Sequence, residues 1–262
     1  MNTHSVTAHC RALLLGLAMT STGALADHSE VNPNVIEVKP WDTVKVARIP
    51  GTIYLRTQND PDDLIWDRLP MYRTGLYAAP PVHQSVKLRF EQDQAYEAKH
   101  MYFQVARSDE RFYLRLRWKD GTEDRATTVD GFRDGVAVQF ALKGADTSYM
   151  MGSGPDKPVN IWYWRADRDQ IADLAAGGYG STTHLPDQLI NGASAWVAEE
   201  IQQDSEWHVV MSRPLEVKGE HQVDLSREQI PVVFAVWEGH HNQRDGDKRV
   251  SPNWILLDNS EG

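Results

Sequence analysis

Apolar side chains recur at every second position in one stretch of this chain after another. In RFYLRLRWK, Phe112, Leu114, Leu116 and Trp118 alternate with Tyr113, Arg115, Arg117 and Lys119, and Asp120-Gly121 follows as a turn. In DGVAVQFAL, Val136, Val138, Phe140 and Leu142 share a face; in VNIWYWRAD, Val159, Ile161 and Tyr163 alternate with Asn160, Trp162 and Trp164. Successive strand side chains point to opposite faces, so this period of two specifies strands with one buried face. Both faces of VNIWYWRAD are bulky, which predicts cover on both sides. TIYLRT, SVKLRFE, MYFQVARS, EWHVVMSRPL, PVVFAVWEG and SPNWILLD read as further strands. Helical patterning is poor: DDLIWDRLP and DRDQIADLAAGG are each read as a turn or two of helix. The predicted fold is all-β, an antiparallel β-sandwich with short helical insertions in its loops. The small, polar stretch from about Gly177 to Ala195 reads as a surface loop.

The first residues have a different layout. Arg11 precedes an apolar run from Ala12 to Ala18, and small residues end in Ala24-Leu25-Ala26. This is the pattern of a secretory signal peptide cleaved after Ala26; the run is too short for a membrane span. The expected domains are residues 1–26 as leader and 27–262 as one β-sandwich, exported to the periplasm. The leader carries Cys10, the single cysteine. The mature chain would have no disulfide, no thiolate-bound zinc, no iron–sulfur cluster of its own, no cysteine nucleophile and no C-x-x-C-H for covalent haem. The net charge of −10 becomes −11 without Arg11, an acidic balance that argues against nucleic acid and anionic membranes as partners.

Three regions could carry chemistry. Tyr149-Met150-Met151-Gly152 leads into a Gly/Ser/Pro turn, Asn160-Ile161-Trp162-Tyr163-Trp164-Arg165 follows, and HHNQRDGDKRVSPNW places His240, His241 and Lys248 between two apolar strands. Methionine fills core gaps, and it also ligates haem iron. G-x-S-x-G in an elbow context and H-E-x-x-H are absent. Adjacent His240 and His241 would point to opposite faces of a strand. Acidic groups such as Asp60, Asp62 and Asp63, or Glu199 and Glu200, read as solvated loops. The nine tryptophans leave open a second function class. Trp162, Trp164, Trp237 and Trp254 could form a sugar-stacking strip on a secreted carbohydrate-binding sandwich, or they could be core.

At these regions the chain resembles the haem-b-binding gamma subunits of exported molybdenum enzymes: dimethyl sulfide dehydrogenase, ethylbenzene dehydrogenase, selenate reductase and chlorate reductase. The resemblance rests on DGVAVQFAL, YMMGS, PVNIWYWRAD, VVMSRPL and FAVWEG followed by GDKRVSPNW. It implies a β-sandwich with one non-covalent haem b in a pocket at an edge, its iron held by a methionine and a lysine. The motifs place the methionine in YMMGS, with Met151 preferred to Met150, and the lysine at Lys248, with His240 or His241 as the fallback. Asn160, Trp162 and Arg165 are expected at the ring or its propionates. Asp245 and Asp247 would favour a charged lysine and so oppose ligation. The resemblance further implies a non-catalytic subunit in a heterotrimer with a molybdopterin alpha subunit and an iron–sulfur beta subunit. It would pass electrons to or from a soluble periplasmic c-type cytochrome. A chlorate or selenate reductase is the expected assembly.

Overall fold

The computed structural model describes residues 34–51, 59–81, 84, 86–87, 99–126, 128–129, 131–217 and 219–260. The expected leader, its cleavage site and TIYLRT lie outside them. Fifteen strands follow in chain order: β1 (Val35–Glu37), β2 (Thr43–Lys45), β3 (Ala47–Arg48), β4 (Met71–Ala78), β5 (Lys99–Arg107), β6 (Arg111–Lys119), β7 (Gly135–Ala141), β8 (Val159–Arg165), β9 (Ala172–Ala176), β10 (Thr183–His184), β11 (Asn191–Val197), β12 (Glu206–Pro214), β13 (Gln229–Trp237), β14 (Arg249–Val250) and β15 (Ile255–Asp258). One layer runs β4-β5-β6-β12-β11, the other β10-β9-β8-β7-β13-β14, and the short β14 pairs with β4 to join them. The long neighbours are antiparallel; the parallel pairs involve only the short β1, β2 and β3.

Alternation accounts for the core. Phe112, Leu114, Leu116 and Trp118 of β6 meet Val136, Val138 and Phe140 of β7, Trp162 and Trp164 of β8, and Val232, Phe234 and Val236 of β13 in one cluster between the layers. Trp164 lies 4.9 Å from Trp207, and Trp162 lies 4.8 Å from Phe140, ring centre to ring centre, within the range of favourable aromatic packing.

Three readings change. The stretch 167–178, expected to be helical, contains β9, because Asp173 is not a solvated charge. It is fully buried, accepts from Asn160 Nδ2 at 2.6 Å and from Gln222 Nε2 at 3.0 Å, and so lets an acidic residue sit inside a sheet. The expected loop at 177–195 contains β10 and most of β11, which pairs with β12 from Asn191↔Ser212 to Val197↔Glu206. In SVKLRFE, residues 86 and 87 are helical and the rest lies outside the described residues. DDLIWDRLP does hold a short 3-10 turn, Trp66–Arg68. Among the described residues no helix is long and apolar enough to cross a membrane.

A buried acidic pair ties β7 to its neighbours. Asp134 accepts from Gly239 N (2.8 Å), Asp124 N (2.8 Å) and Trp207 Nε1 (2.9 Å). Burial, and then the carboxylate of Asp120, push it up to about 7. Asp120 is itself raised by burial, and its Oδ2 has no hydrogen-bond partner. A carboxyl raised in the folded state contributes full stability below its unfolded value of 3.8, and that contribution is lost as pH climbs through about 7. The thermal midpoint should therefore fall between pH 5 and pH 8. Asp120→Asn should raise stability at pH 8 by about 1–3 kcal/mol and by less at pH 5. Melting curves at the two pH values check this, and equal gains at both would rule out the repulsion.

Candidate functional site

The outer face of the β7–β8–β13 sheet is the floor of a cavity of about 450 Å³. Ala137 and Gln139 of β7, Ile161 and Tyr163 of β8, and Val233, Ala235 and Trp237 of β13 line it. These are the alternate positions to the core residues of the same strands, so one period-two pattern builds core and site on opposite faces. The volume lies in the range of small-molecule and cofactor sites, about 300–1,000 Å³. The cavity lies on a sheet face, beside the β14–β4 join that links the layers, which refines the expected position at an edge.

Loops supply the walls. Met150 and Met151 both line the cavity. They lie in a turn, and so both reach the site, whereas in an extended strand adjacent side chains would face opposite ways. Met151 has φ of +68°, in the left-handed region that costs an ordinary side chain roughly 1–2 kcal/mol. Its carbonyl accepts from Gly178 N at 2.8 Å. Gly152 follows with φ of +89°, and a Cβ there would meet Lys157 O at 2.9 Å and Ala176 O at 3.1 Å. The turn can pack this tightly only with glycine. Trp254, 1% exposed, donates Nε1–H to Thr147 O at 2.8 Å and holds the approach to the methionines.

Lys248 comes from the loop before β14. Its backbone carbonyl accepts from Ala79 N at 2.8 Å. Its Nζ lies 4.8 Å from the centre of the Trp237 ring, and Trp237 donates Nε1–H to Asp245 O at 3.2 Å. Burial pushes the lysine down to about 8, with Asp245 pulling the other way. Desolvation thus outweighs the acidic neighbour, and the neutral amine needed for ligation becomes accessible. Tyr179 closes over this loop: a Cβ on Gly246 would run into the Tyr179 hydroxyl.

The other expected residues are elsewhere. Asn160 is fully buried on the core side of β8; its Nδ2 donates to Asp173 Oδ1 and Leu174 O, and its Oδ1 accepts from Val223 N. Trp162 is fully buried between the layers, with the Arg213 guanidinium over its ring at 5.4 Å. Neither lines the cavity, because both occupy the even-numbered face of β8. Arg165 pairs with Asp167 through Nε at 3.0 Å and Nη2 at 2.9 Å and is not a lining residue. His240 and His241 meet edge to face with ring centres 5.5 Å apart, with His241 Nδ1 at 3.4 Å from Glu238, and they too stay out of the cavity. The sugar-stacking strip is not formed: Trp162, Trp164, Trp237 and Trp254 are all at most 9% exposed.

The model of the family described as ethylbenzene dehydrogenase matches residues 39–200. The chain belongs to that family. Among relatives, the dimethylsulfide dehydrogenase subunit gamma of Rhodovulum sulfidophilum is 51% identical over 85% of this chain and 83% of its own. The chlorate reductase subunit gamma of Ideonella dechloratans is 30% identical over 94% of this chain and 96% of its own. A protein of Haloferax mediterranei, provisionally named respiratory nitrate reductase heme subunit ORF7, is 30% identical over 84% of this chain and 75% of its own.

For this family member the cavity contains a donor set suited to a cofactor iron. Two thioethers and an amine face an otherwise mostly apolar chamber. Among the described residues no group of three or more His, Cys, Asp or Glu could hold a metal ion directly. Lining residues absent from the expected set include Gln139, Tyr149, Ile161, Tyr163, Leu174 and Trp237. For Ile161 and Tyr163 the signal was the parity of VNIWYWRAD: the bulky side chains on the odd face had no core to fill once the even face had filled it.

Proposed function

We propose that this chain is the gamma subunit of a periplasmic molybdopterin oxidoreductase and carries one non-covalent haem b. Met151 and Lys248 are its axial ligands, and the subunit itself catalyses nothing. The observation that carries this reading is that separate loops bring the methionine pair and a lysine, whose neutral form is made accessible by burial, to one cavity. Family membership and the relatives named as gamma and heme subunits support it. Bound there, the haem would supply one-electron chemistry, and a thioether ligand would raise its potential. Two protein ligands, Met151 and Lys248, would leave substrate no coordination site on the iron. The chain's own part is to exclude water with Tyr163, Trp237 and Tyr179 and to hold two ligands from opposite loops.

The left-handed backbone at Met151 supports that residue over Met150, because strained non-glycine backbone clusters at ligand-holding sites. The partners would be a molybdopterin alpha subunit, an iron–sulfur beta subunit and a soluble c-type cytochrome. The 51% identity to a dimethylsulfide dehydrogenase subunit, against 30% to the chlorate reductase subunit, moves the proposed assembly from the chlorate or selenate reductases towards a dimethylsulfide dehydrogenase.

Titration of cofactor-free protein with haemin tests the reading. One equivalent should bind with a low-spin Soret spectrum, and acid–acetone should extract all of it. Met151→Ala should abolish the low-spin form and the sulfur-to-iron charge-transfer band, whereas Met150→Ala should keep both. The reverse pattern would transfer the ligand role to Met150. Failure to bind haemin at one equivalent would sink the proposal.

A further inference from the structure

Two loops carry the proposed ligands, and each is tied to the sandwich by an indole N–H. Trp254 donates to Thr147 O ahead of the methionines, and Trp237 donates to Asp245 O three residues before Lys248. Trp237 has a second contact. The Lys248 amine rests over its ring at 4.8 Å, and the ring packs against Tyr163, tilted, with centres 5.1 Å apart. Trp237 ends β13, a strand whose even-numbered residues are packed in the core. It therefore connects a rigid strand to a loop in which Asp245 itself has a positive φ of 54° and no regular ladder until Arg249.

We infer that Trp237 is the positioning residue of the lysine arm: its N–H fixes the loop and its ring face fixes the course of the Lys248 side chain across the cavity wall. The inference rests on Lys248 being an axial ligand. A four-carbon arm on a loop samples many directions, and each rotor frozen in advance is entropy that need not be lost when the iron is bound. Trp237→Phe removes the N–H and keeps an aromatic face, and Trp237→Leu removes both.

The test is haem transfer from reconstituted holoprotein to excess apomyoglobin, run as a double-mutant cycle. Trp237→Phe should speed haem loss about fivefold, the equivalent of one hydrogen bond of about 1 kcal/mol, and Trp237→Leu should speed it further. In a Lys248→Ala background both substitutions should change the rate by less than about twofold. Trp254→Phe, which loosens the other loop, should have the same effect with or without Lys248. Equal effects of Trp237→Phe in both backgrounds would show that the ring is only cavity wall, and overturn the inference. Coupling of Trp254→Phe to Lys248 as strong as that of Trp237→Phe would also overturn it, as a general loosening. An unchanged low-spin spectrum in Lys248→Ala alone would overturn the ligand assignment and the inference with it. A changed spectrum without coupling overturns only the inference.

Discussion

Lys248→Ala is expected to leave the protein folded, able to take up haem, and unable to hold it low-spin. Lys248 lies on the cavity wall in a loop between strands, with its amine over the Trp237 ring, so the loss falls chiefly on the iron and less on the fold. Haem affinity should drop at least about tenfold, the lower end of what even supporting residues around metal sites cost. Lys248→Arg is the sharper variant. It keeps length and charge, but a guanidinium does not give up its proton and has no lone pair for iron. Arginine should therefore fail as completely as alanine. If the Arg variant retained the low-spin spectrum, the sixth ligand would have to come from elsewhere.

Asn160→Ala should produce the largest loss of stability. The side chain is fully buried and satisfies three groups at once: the Asp173 carboxylate, the Leu174 carbonyl and the Val223 N–H. Truncation leaves all three short of a partner beside a buried acid, at a cost of about 3–5 kcal/mol. For a domain of this size that is a fall of roughly 10 °C in the melting midpoint. The haem spectrum of the folded fraction should not change. A normal melting curve with an altered spectrum would put Asn160 in the site, where the motif resemblance expected it and where the geometry does not.

The contrast between these residues shows what was legible in the sequence. The period of two marked β5, β6, β7, β8, β12, β13 and β15, because their alternation follows directly from one buried face. It missed the eight-residue β4, and it missed β9 and β11, where an acid is hidden among amides and a run opens on small, uncharged residues. The quoted motifs led to Met151 and Lys248 but carried Asn160, Trp162 and Arg165 with them, since a motif is a string and does not say which face each letter occupies. The parity of β8 does: odd residues to the cavity, even residues to the core. Trp237 was legible only as an aromatic. Its contact with Lys248 depends on the loop returning across the end of β13, which no local pattern encodes.

The sharing of strands between core and cavity has a consequence for electron transfer. Ile161 and Tyr163 face the chamber from a strand whose other face buries Trp162 and Trp164 in the core between the layers. Such interiors resist compression. The floor cannot shift when the charge of a bound centre changes unless the whole sandwich shifts with it. Only the loop-borne walls can adjust, and two of these are tied back by indole hydrogen bonds. A centre in such surroundings would exchange electrons with a small reorganisation energy, and driving force alone would go far towards setting its rate.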